Sequence, residues 1–396
     1  MSIKVKGFLK DIGGASRVTE MRRKSIESAS AIPDPHDFVR EIADRLHPDP
    51  MDLRVTEIRE ASPTSKIFRM VPVSAKLPVF QAGQYVSFRL HIGGSELTRP
   101  YTISSAPCDA LGENGYVEIT IRRNRPYLVP DWFFDQVQVG TVLNADLPFG
   151  TFYYEPLRDS KNLVALAGGS GITPFYSMAR EIAYGKMKGV HLTILYGSVH
   201  HSDIVLGDEL AKVAADCPDV KVVHILSGDD AWQGEKGFLT KEIIAKYMGE
   251  DPTLMFCGPL PMYELVKQAA TDLGVTCRRF RHDVVGQPAD PTKLPGYPAE
   301  NKDKVWKMTV KRGIAEDVID ARGDEPVAVA LERAGIPIDT HCRCGECGYC
   351  RTQLVKGEIF VSPLGDGRRE MDKLMGWFHA CSAYPTSDLT VHIPIM

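Results

Sequence analysis

The sequence Cys342-Arg-Cys-Gly-Glu-Cys347-Gly-Tyr-Cys350 stands near the end of the chain, and only one cysteine, Cys381, follows it. Three of these cysteines have the spacing C-x4-C-x2-C, and the fourth is distant in sequence. The glycines between them lack a Cβ atom, so backbone N–H groups can approach sulfur atoms inside the loop. The stretch therefore predicts a tight loop around a metal centre.

This spacing is typical of the 2Fe-2S site of plant-type ferredoxins. We expect four thiolate ligands, Cys342, Cys347, Cys350 and Cys381. Cys344 is interpreted as a bystander thiol. Because a cluster of this type accepts electrons singly, the chain is predicted to transfer single electrons.

Other interpretations of the cysteines fit less well. A bacterial 4Fe-4S site requires C-x2-C-x2-C-x3-C-P, but Leu354 and Val355 stand where the last cysteine and the proline belong. A structural zinc site usually draws on two close cysteine pairs, and the fourth cysteine here has no near partner in sequence. A disulfide framework is not expected in a long chain without a secretory signal.

Composition places the chain among ordinary globular proteins. Its 396 residues suggest two or three domains, and its formal net charge of −4 gives no indication of nucleic-acid binding. The sequence has no apolar run of transmembrane length and starts without the apolar core of a signal peptide. We therefore expect a cytoplasmic protein with no membrane span, and the scattered cysteines outside the ligand set fit a reducing compartment.

Two different strand patterns precede the cysteine loop. Short alternating runs such as Tyr85–Ile92 fill residues 52–155 and predict an antiparallel β-barrel. From Asn162 onward, buried strands alternate with helices, which predicts a parallel sheet with helices on both faces. A proline-rich stretch between Val284 and Asn301 then predicts an irregular tether.

The C-terminal unit resembles the β-grasp fold of plant-type ferredoxins. Periodicity predicts a strand at Lys307–Lys311, a helix at Glu325–Ala334 and a final strand from Leu389. Gly335 and Pro337 are expected to end the helix just before the cysteine loop.

A glycine-rich turn marks a nucleotide site. The predicted strand Leu163–Ala167 runs into Gly168-Gly-Ser-Gly171-Ile-Thr-Pro174 and then into a helix. Such a turn lets the backbone approach a diphosphate, and the helix N-terminus offers free N–H groups to its negative charge. Tight turns also need glycine for conformational reasons alone. Because the motif is not G-x-G-x-x-G, we expect the dinucleotide to sit somewhat differently from the usual arrangement.

Two further segments accompany this turn in order. Arg99-Pro-Tyr101-Thr102-Ile-Ser-Ser follows a predicted barrel strand, and Cys257-Gly-Pro-Leu-Pro-Met262 follows a strand of the parallel sheet. Together they resemble the flavin signature R-x-Y-[ST], the pyridine-nucleotide loop and the C-G-P segment of the ferredoxin reductase superfamily. With the cysteine loop, the chain is similar over residues 52–396 to iron–sulfur flavoprotein reductases such as phthalate dioxygenase reductase and its relatives.

The resemblance implies roles for individual residues. Arg99 would supply charge to a flavin phosphate, and Tyr101 would pack against the isoalloxazine. Thr102 would hydrogen-bond near flavin N5, and Thr102 and Cys257 would position hydride transfer without a separate catalytic base. Alternatively, Arg99 is a surface cation and Tyr101 a half-buried barrel residue. The predicted cofactor-binding set is Arg99, Pro100, Tyr101, Thr102, Arg122, Gly168, Gly169, Gly171, Ile172, Thr173, Pro174, Tyr196, Gly197, Ser198, Cys257, Gly258 and Pro259.

The same resemblance divides the chain into domains. The predicted parts are an N-terminal helical extension at 1–50, a flavin-binding barrel at 51–155, an NAD(P)-binding α/β domain at 156–284, a linker at 285–302 and a 2Fe-2S ferredoxin domain at 303–396.

Two departures from the family pattern affect the choice of cofactor. Tyr127-Leu-Val129-Pro130-Asp131-Trp132 stands where FAD-binding relatives carry G-x-V-S-x-W, and Pro130 lacks an N–H donor. The form R-P-Y-T-I-S-S still favours FAD, with FMN as the alternative. No arginine occurs in 197–203, which favours NADH over NADPH, although His200 or His201 could meet a phosphate.

The first fifty residues match no part of the family pattern. A helix with Asp34 as N-cap and Pro35 at its first position would place Phe38, Ile42 and Leu46 on one face. We expect this extension to cover the barrel or a domain seam, with partner docking as the alternative.

Electron counts connect the predicted cofactors. A nicotinamide releases two electrons as hydride, a 2Fe-2S cluster accepts one, and a flavin can do both. The predicted function is therefore an NADH-dependent reductase that passes electrons through flavin and cluster to a partner oxygenase, demethylase or reductase. The alternatives are an electron-transfer subunit of a larger oxidoreductase, with electron flow toward NAD, and a redox-sensing protein without enzymatic activity.

Overall fold

The computed structural model describes residues 8–29, 36–74, 76–123, 128–284, 286–288, 290–364 and 366–394. Backbone contacts separate residues 1–43 and residues 44–396 into two compact units. Asp34, Pro35 and Tyr127, which the sequence interpretation used, lie outside the described residues. None of the described helices is long and apolar enough to cross a membrane.

Two helices occupy the N-terminal part of the chain, α1 (Phe8–Ser28) and α2 (Phe38–Leu46). On α2 the side chains of Phe38, Ile42 and Leu46 are exposed. The role of this extension stays a prediction.

The first sheet is antiparallel. Its strands are β1 (Met51–Ser62), β2 (Ser65–Pro72), β3 (Tyr85–Ile92), β4 (Ser95–Thr102), β5 (Val117–Arg122) and β6 (Val142–Phe149), with helix α3 (Leu128–Gln136) before β6. The six strands have the order β4-β3-β6-β1-β2-β5, and a bridge between Ile103 and Ile119 joins the two edges. On β3, Phe88 and Leu90 point into the core while Arg89 is exposed, which is the alternation of a strand with one buried face. The predicted antiparallel barrel is confirmed.

The second sheet is parallel and six-stranded. Its strands are β7 (Asn162–Gly168), β8 (His191–Ser198), β9 (Val220–Leu226), β10 (Glu235–Lys236), β11 (Thr253–Gly258) and β12 (Phe280–Val284), in the order β10-β9-β8-β7-β11-β12. The helices are α4 (Thr173–Ala183), α5 (Gly207–Asp216), α6 (Lys241–Tyr247) and α7 (Leu260–Asp272). The chain moves outward from β7 in one direction and returns to β11 on its other side. The topological switch point therefore lies between β7 and β11, where ligands bind in such sheets.

The third sheet lies in the C-terminal part. Its elements are β13 (Val305–Arg312), β14 (Ala315–Arg322), α8 (Val327–Arg333), β15 (Arg351–Lys356), β16 (Ile359–Val361), α9 (Glu370–Leu374), β17 (Trp377–His379), β18 (Ala383–Pro385) and β19 (Leu389–His392). Five strands have the order β14-β13-β19-β15-β17, with β13 and β19 parallel, and β16 pairs with β18. The predicted first strand, helix and last strand are confirmed.

The proline-rich stretch before β13 packs closely against the third sheet. Leu294 and Tyr297 are buried and form an apolar cluster with Tyr384. The Tyr297 hydroxyl donates to the Gly323 carbonyl at 2.8 Å, and the Asn301 amide donates to the Pro385 carbonyl at 2.7 Å. The stretch is therefore held in place by side-chain packing, which its irregular composition did not indicate.

Candidate functional site

One cavity of about 1260 Å³ is lined by residues of the barrel, of the parallel sheet and of the loops and helix α8 in the C-terminal part. The barrel contributes the end of β4, the parallel sheet contributes the turns after β7 and β11, and the C-terminal part contributes two cysteines. A cavity of this size exceeds the usual range for a drug-sized ligand, so it has room for more than one bound group.

The end of β4 carries the predicted flavin signature. Arg99, Pro100, Tyr101 and Thr102 all line the cavity. The Tyr101 ring packs edge-on against Phe133, with ring centroids 5.5 Å apart. Burial raises the pKa of Tyr101, so its hydroxyl stays neutral. A neutral aromatic ring beside a guanidinium at the cavity wall suits a flat ring system that carries a phosphate tail.

The turn after β7 is shaped for close backbone approach. Gly168, Gly169 and Gly171 line the cavity, and Gly169 has a φ of +55°. A Cβ atom on Gly168 would lie 2.5 Å from the sulfur of Met262. The turn opens directly into α4, so its amide groups and the helix N-terminus are placed for a diphosphate.

Several predicted nucleotide residues lie behind this turn. Ile172, Thr173 and Pro174 are buried and are absent from the described cavity lining. Tyr196 is also buried, and its hydroxyl donates to the Gly169 carbonyl at 2.9 Å and accepts from the Val205 amide at 3.0 Å. These residues hold the turn in shape, and their predicted contact with the cofactor stays a prediction.

The segment after β11 meets the turn from the other side. Gly258 and Pro259 line the cavity, whereas the thiol of Cys257 is enclosed and burial raises its pKa. Cys257 therefore contacts the turn through its backbone. Its role in positioning hydride transfer stays a prediction.

Three further predicted residues lie at the rim formed by β5 and β8. Gly197, Ser198 and Arg122 line the cavity. Arg122 forms an ion pair with Asp203 at 3.2 Å, and its Nη1 lies 2.9 Å from the position a Cβ on Gly169 would take. Arg122 thus links the barrel to the nucleotide turn.

The cysteine loop brings its thiols together. Hydrogen bonds from the thiols of Cys344, Cys347 and Cys381 hold the pKa of Cys342 well below its usual range. The Cys347 amide donates to the Cys342 sulfur at 3.4 Å, and Cys350 interacts with Cys381. All nine cysteines of the chain are free thiols. The four predicted ligands therefore converge, and this soft sulfur donor set fits an iron–sulfur cluster.

The loop is oriented toward the cavity on one side and toward solvent on the other. Cys342 and Cys381 line the cavity, whereas Cys347 is exposed. Gly345 and Gly348 have φ values of +97° and +81°, which allow the loop to turn around its sulfurs. Among the described residues, no three His, Cys, Asp or Glu side chains are arranged to hold a single metal ion.

Sequence reasoning missed several residues around the cavity. Arg343 and Asp283 line it, and burial, followed by the charge of Cys342, raises the pKa of Asp283 to about 6. Glu332 lies just behind and pairs with Arg343 and with the flavin-signature arginine. The sequence shows that Arg343 lies inside the cysteine motif, but it does not show which side chains pair with its guanidinium.

A buried charge network joins the barrel to α4. Glu118 on β5 is fully buried and accepts hydrogen bonds from Arg59 at 2.7 Å, Arg69 at 3.0 Å and Arg180 at 3.4 Å. Arg180, on α4, also pairs with Asp109 at 2.8 Å. The network orients the helix that follows the nucleotide turn relative to the flavin signature.

A barrel, a parallel sheet with a glycine turn at its switch point and a cysteine loop around one cavity define an oxidoreductase with flavin, nucleotide and iron–sulfur sites. Family models agree with this division of the chain. An oxidoreductase FAD-binding domain matches residues 52–154, an oxidoreductase NAD-binding domain matches residues 165–268, and a 2Fe-2S iron-sulfur cluster binding domain matches residues 313–386.

Individual proteins are similar to more than half of the chain. The chain is 28% identical over 327 residues to the glycine betaine monooxygenase reductase subunit of Chromohalobacter salexigens, covering 79% of this chain and 87% of the relative. It is 32% identical over 224 residues to NADH-cytochrome b5 reductase 1 of Scheffersomyces stipitis, covering 55% and 77%. Its fold matches that of phthalate dioxygenase reductase with a TM-score of 0.64 and 19% identity, covering 87% of this chain and 98% of that one.

The chain belongs to the ferredoxin reductase superfamily, in its group of iron–sulfur flavoprotein reductases. It is an oxidoreductase with FAD-binding, NAD-binding and 2Fe-2S cluster-binding domains, so the predicted fold class, enzyme class and cofactor types are confirmed.

Proposed function

We propose that this chain is the reductase component of an oxygenase system and passes electrons from NADH to a partner oxygenase. The observation that carries the proposal is the shared cavity, which the predicted flavin residues, the nucleotide turn and two predicted cluster ligands all line. The relative of C. salexigens, named as the reductase subunit of a monooxygenase, supports an oxygenase as the partner over the demethylase and reductase alternatives.

The bound groups supply the electron chemistry, since nicotinamide provides a hydride and a flavin can pass its electrons singly to an iron–sulfur cluster. The chain's own residues bind and align these groups. Gly168 and Gly171 bring backbone amides to a diphosphate, and Arg99 offers charge to a phosphate. Cys342 and Cys381, two of the residues that would hold the cluster, line the same cavity.

We further propose the remaining predicted boundaries and roles. The barrel at 51–155 binds flavin, residues 156–284 bind NADH, and residues 303–396 bind the cluster through Cys342, Cys347, Cys350 and Cys381. We propose FAD as the flavin and NADH as the nucleotide, because no arginine occurs in 197–203. The many free thiols support a cytoplasmic location.

The test is an anaerobic titration of the purified full-length protein with NADH, followed by visible absorbance. We expect NADH to bleach both flavin and cluster, and NADPH to do so only at much higher concentration. A Cys381→Ser variant should lose the cluster absorbance, whereas Cys217→Ser, a buried thiol of the parallel-sheet domain, should keep it. Protein without flavin, or flavin that NADH does not reduce, would overturn the proposal. The reduced protein should then drive turnover of a candidate oxygenase.

A further inference from the structure

Three charged side chains from two domains meet behind the flavin signature. Glu332 on α8 is only 4% exposed. It accepts hydrogen bonds from both Nη1 and Nη2 of Arg343, the second at 3.0 Å, and one from Nη1 of Arg99 at 3.4 Å. Nη1 of Arg343 also donates to the carbonyl of Thr98 at 3.4 Å. The cysteine loop is thereby tied to the strand that carries the flavin signature.

This cluster carries an excess positive charge at the cavity. It holds two guanidinium groups and one carboxylate, and both arginines line the cavity. Two other lining carboxylates are already paired, Asp324 with Arg322 at 2.6 Å and Glu325 with Arg333 at 2.5 Å. The remaining carboxylate among the described lining residues, Asp283, forms no ion pair with either arginine of the cluster. Among the described residues, the cluster of Arg99, Arg343 and Glu332 therefore carries one more positive than negative charge at the cavity, which a bound anion would balance.

Donors remain available in the same cluster. Within the described part of the chain, Nη1 is the only Arg99 nitrogen with a hydrogen-bond partner. Burial and the neighbouring charge of Arg343 lower the pKa of Arg99 to about 10, so Arg99 stays charged near neutral pH but lacks full compensation. Two cations held this close are stabilised by a bound anion.

The backbone conformation of Arg343 indicates that its side chain has a function. Arg343 has a φ of +55°, a left-handed conformation that glycine adopts freely and other residues rarely adopt. The loop uses glycine at the comparable positions Gly345 and Gly348. An arginine at a conformationally costly position points to a function for its guanidinium.

We propose that Arg343, on the cysteine loop, joins Arg99 in binding the phosphate of the flavin, while Glu332 holds the two guanidinium groups in place. The flavin site is then built from two domains. Because flavin would contact both, its binding stabilises the docked position of the C-terminal domain, and docking raises flavin affinity in return. This inference rests on the proposed function, since it takes flavin as the ligand.

The test compares FAD and FMN, which carry phosphate, with riboflavin, which lacks it. Full-length protein is stripped of flavin and titrated with each ligand, and binding is followed by flavin fluorescence. Arg343→Gln should weaken FMN binding about tenfold or more and leave riboflavin binding unchanged, because only the phosphate contact is lost. Glu332→Gln should weaken FMN binding less than Arg343→Gln does, because both guanidinium groups remain but lose the carboxylate that holds them in place.

Controls separate a phosphate contact from a structural role. Arg343→Lys should retain most of the FMN affinity. Arg312→Gln, which removes an exposed charge from the same domain, should leave the affinities for FMN and riboflavin unchanged. The visible spectrum of the cluster reports whether each variant keeps an intact cysteine loop. If Arg343→Gln and Glu332→Gln weaken FMN and riboflavin alike, or if Arg343→Gln has no effect on FMN, the inference is wrong. If the unaltered protein binds none of FAD, FMN and riboflavin, the proposed function itself fails.

Discussion

A Cβ atom placed on Gly171 would lie 2.1 Å from the carbonyl oxygen of Cys257. The nucleotide turn after β7 therefore contacts the segment after β11 backbone to backbone, with no room for a side chain. This contact fixes the two sides of the switch point relative to each other, and the proposed nucleotide lies across both.

Gly171→Ala is expected to raise the Michaelis constant for NADH several-fold. The added methyl group must push the turn away from Cys257, which misplaces the amides that face the diphosphate. Overpacking of this kind also lowers the free energy of unfolding by about 1–3 kcal/mol. Steady-state reduction of ferricyanide and chemical unfolding measure the two effects. Gly14→Ala is the control, because no atom lies within 4 Å of its added Cβ. An unchanged Michaelis constant for NADH in Gly171→Ala would contradict the proposed role of the turn.

Replacement of any predicted cluster ligand by serine should remove the visible absorbance and the electron paramagnetic signal of the reduced cluster. Cys342, Cys347, Cys350 and Cys381 should behave alike, because the bridged irons need four thiolates. NADH should still bleach the flavin in each variant. Cys344→Ser is the matched control, since its thiol lies in the same loop and should be dispensable. The ligand assignment is wrong if Cys344→Ser loses the cluster and Cys342→Ser keeps it.

Glu118→Gln is expected to destabilise the protein by about 3–5 kcal/mol, because it leaves buried arginines without their carboxylate. Glu118 is fully buried between Arg59, Arg69 and Arg180. Glu57→Gln is the control, because Glu57 pairs with Arg69 at 2.7 Å but is 43% exposed. Chemical unfolding measures the difference between the two variants. Equal losses would show that the buried position of the carboxylate is unimportant.

His224 is expected to make the stability of the protein sensitive to acid. It packs against Tyr196 and Trp232, and burial, followed by the charge of His201, lowers its pKa from the usual 6.5. Since the folded-state pKa is depressed, the neutral ring contributes stability above pH 6.5 that is lost as the pH falls through the folded pKa. The free energy of unfolding should therefore fall less between about pH 7 and about pH 5 in His224→Asn than in the unaltered protein. Identical pH profiles would contradict this expectation, and the exposed His91→Asn serves as control.

Local patterns in the sequence were sufficient to predict the three sheets. Alternation along Tyr85–Ile92, the buried run of β7 and the glycines after it depend only on neighbouring residues. The C-terminal elements followed from periodicity and from Gly335, which has a φ of +71° where the helix ends.

Contacts between distant segments could not be predicted in this way. Arg99 and Glu332 are 233 residues apart, and their pairing depends on how the C-terminal domain packs on the barrel. Tyr196 belongs to a motif that predicted cofactor contact, but its hydroxyl is used by Gly169 and Val205. A motif locates a residue near a ligand, whereas the direction of its side chain is decided by packing.

A chain that ends after Val284 should separate the two halves of electron transfer. It keeps β12 whole and removes the linker, the third sheet and the cysteine loop. With flavin added in excess, it should still reduce ferricyanide with NADH, because the flavin signature and the nucleotide turn remain. It should lose reduction of cytochrome c, a protein acceptor that takes single electrons, because the proposed exit through the exposed side of the loop at Cys347 is gone. The full-length Cys347→Ser variant is the companion measurement and should show the same selective loss without any change in domain content. If the shortened chain reduced cytochrome c at the full rate, electrons would leave directly from the flavin, and the cluster would serve another purpose.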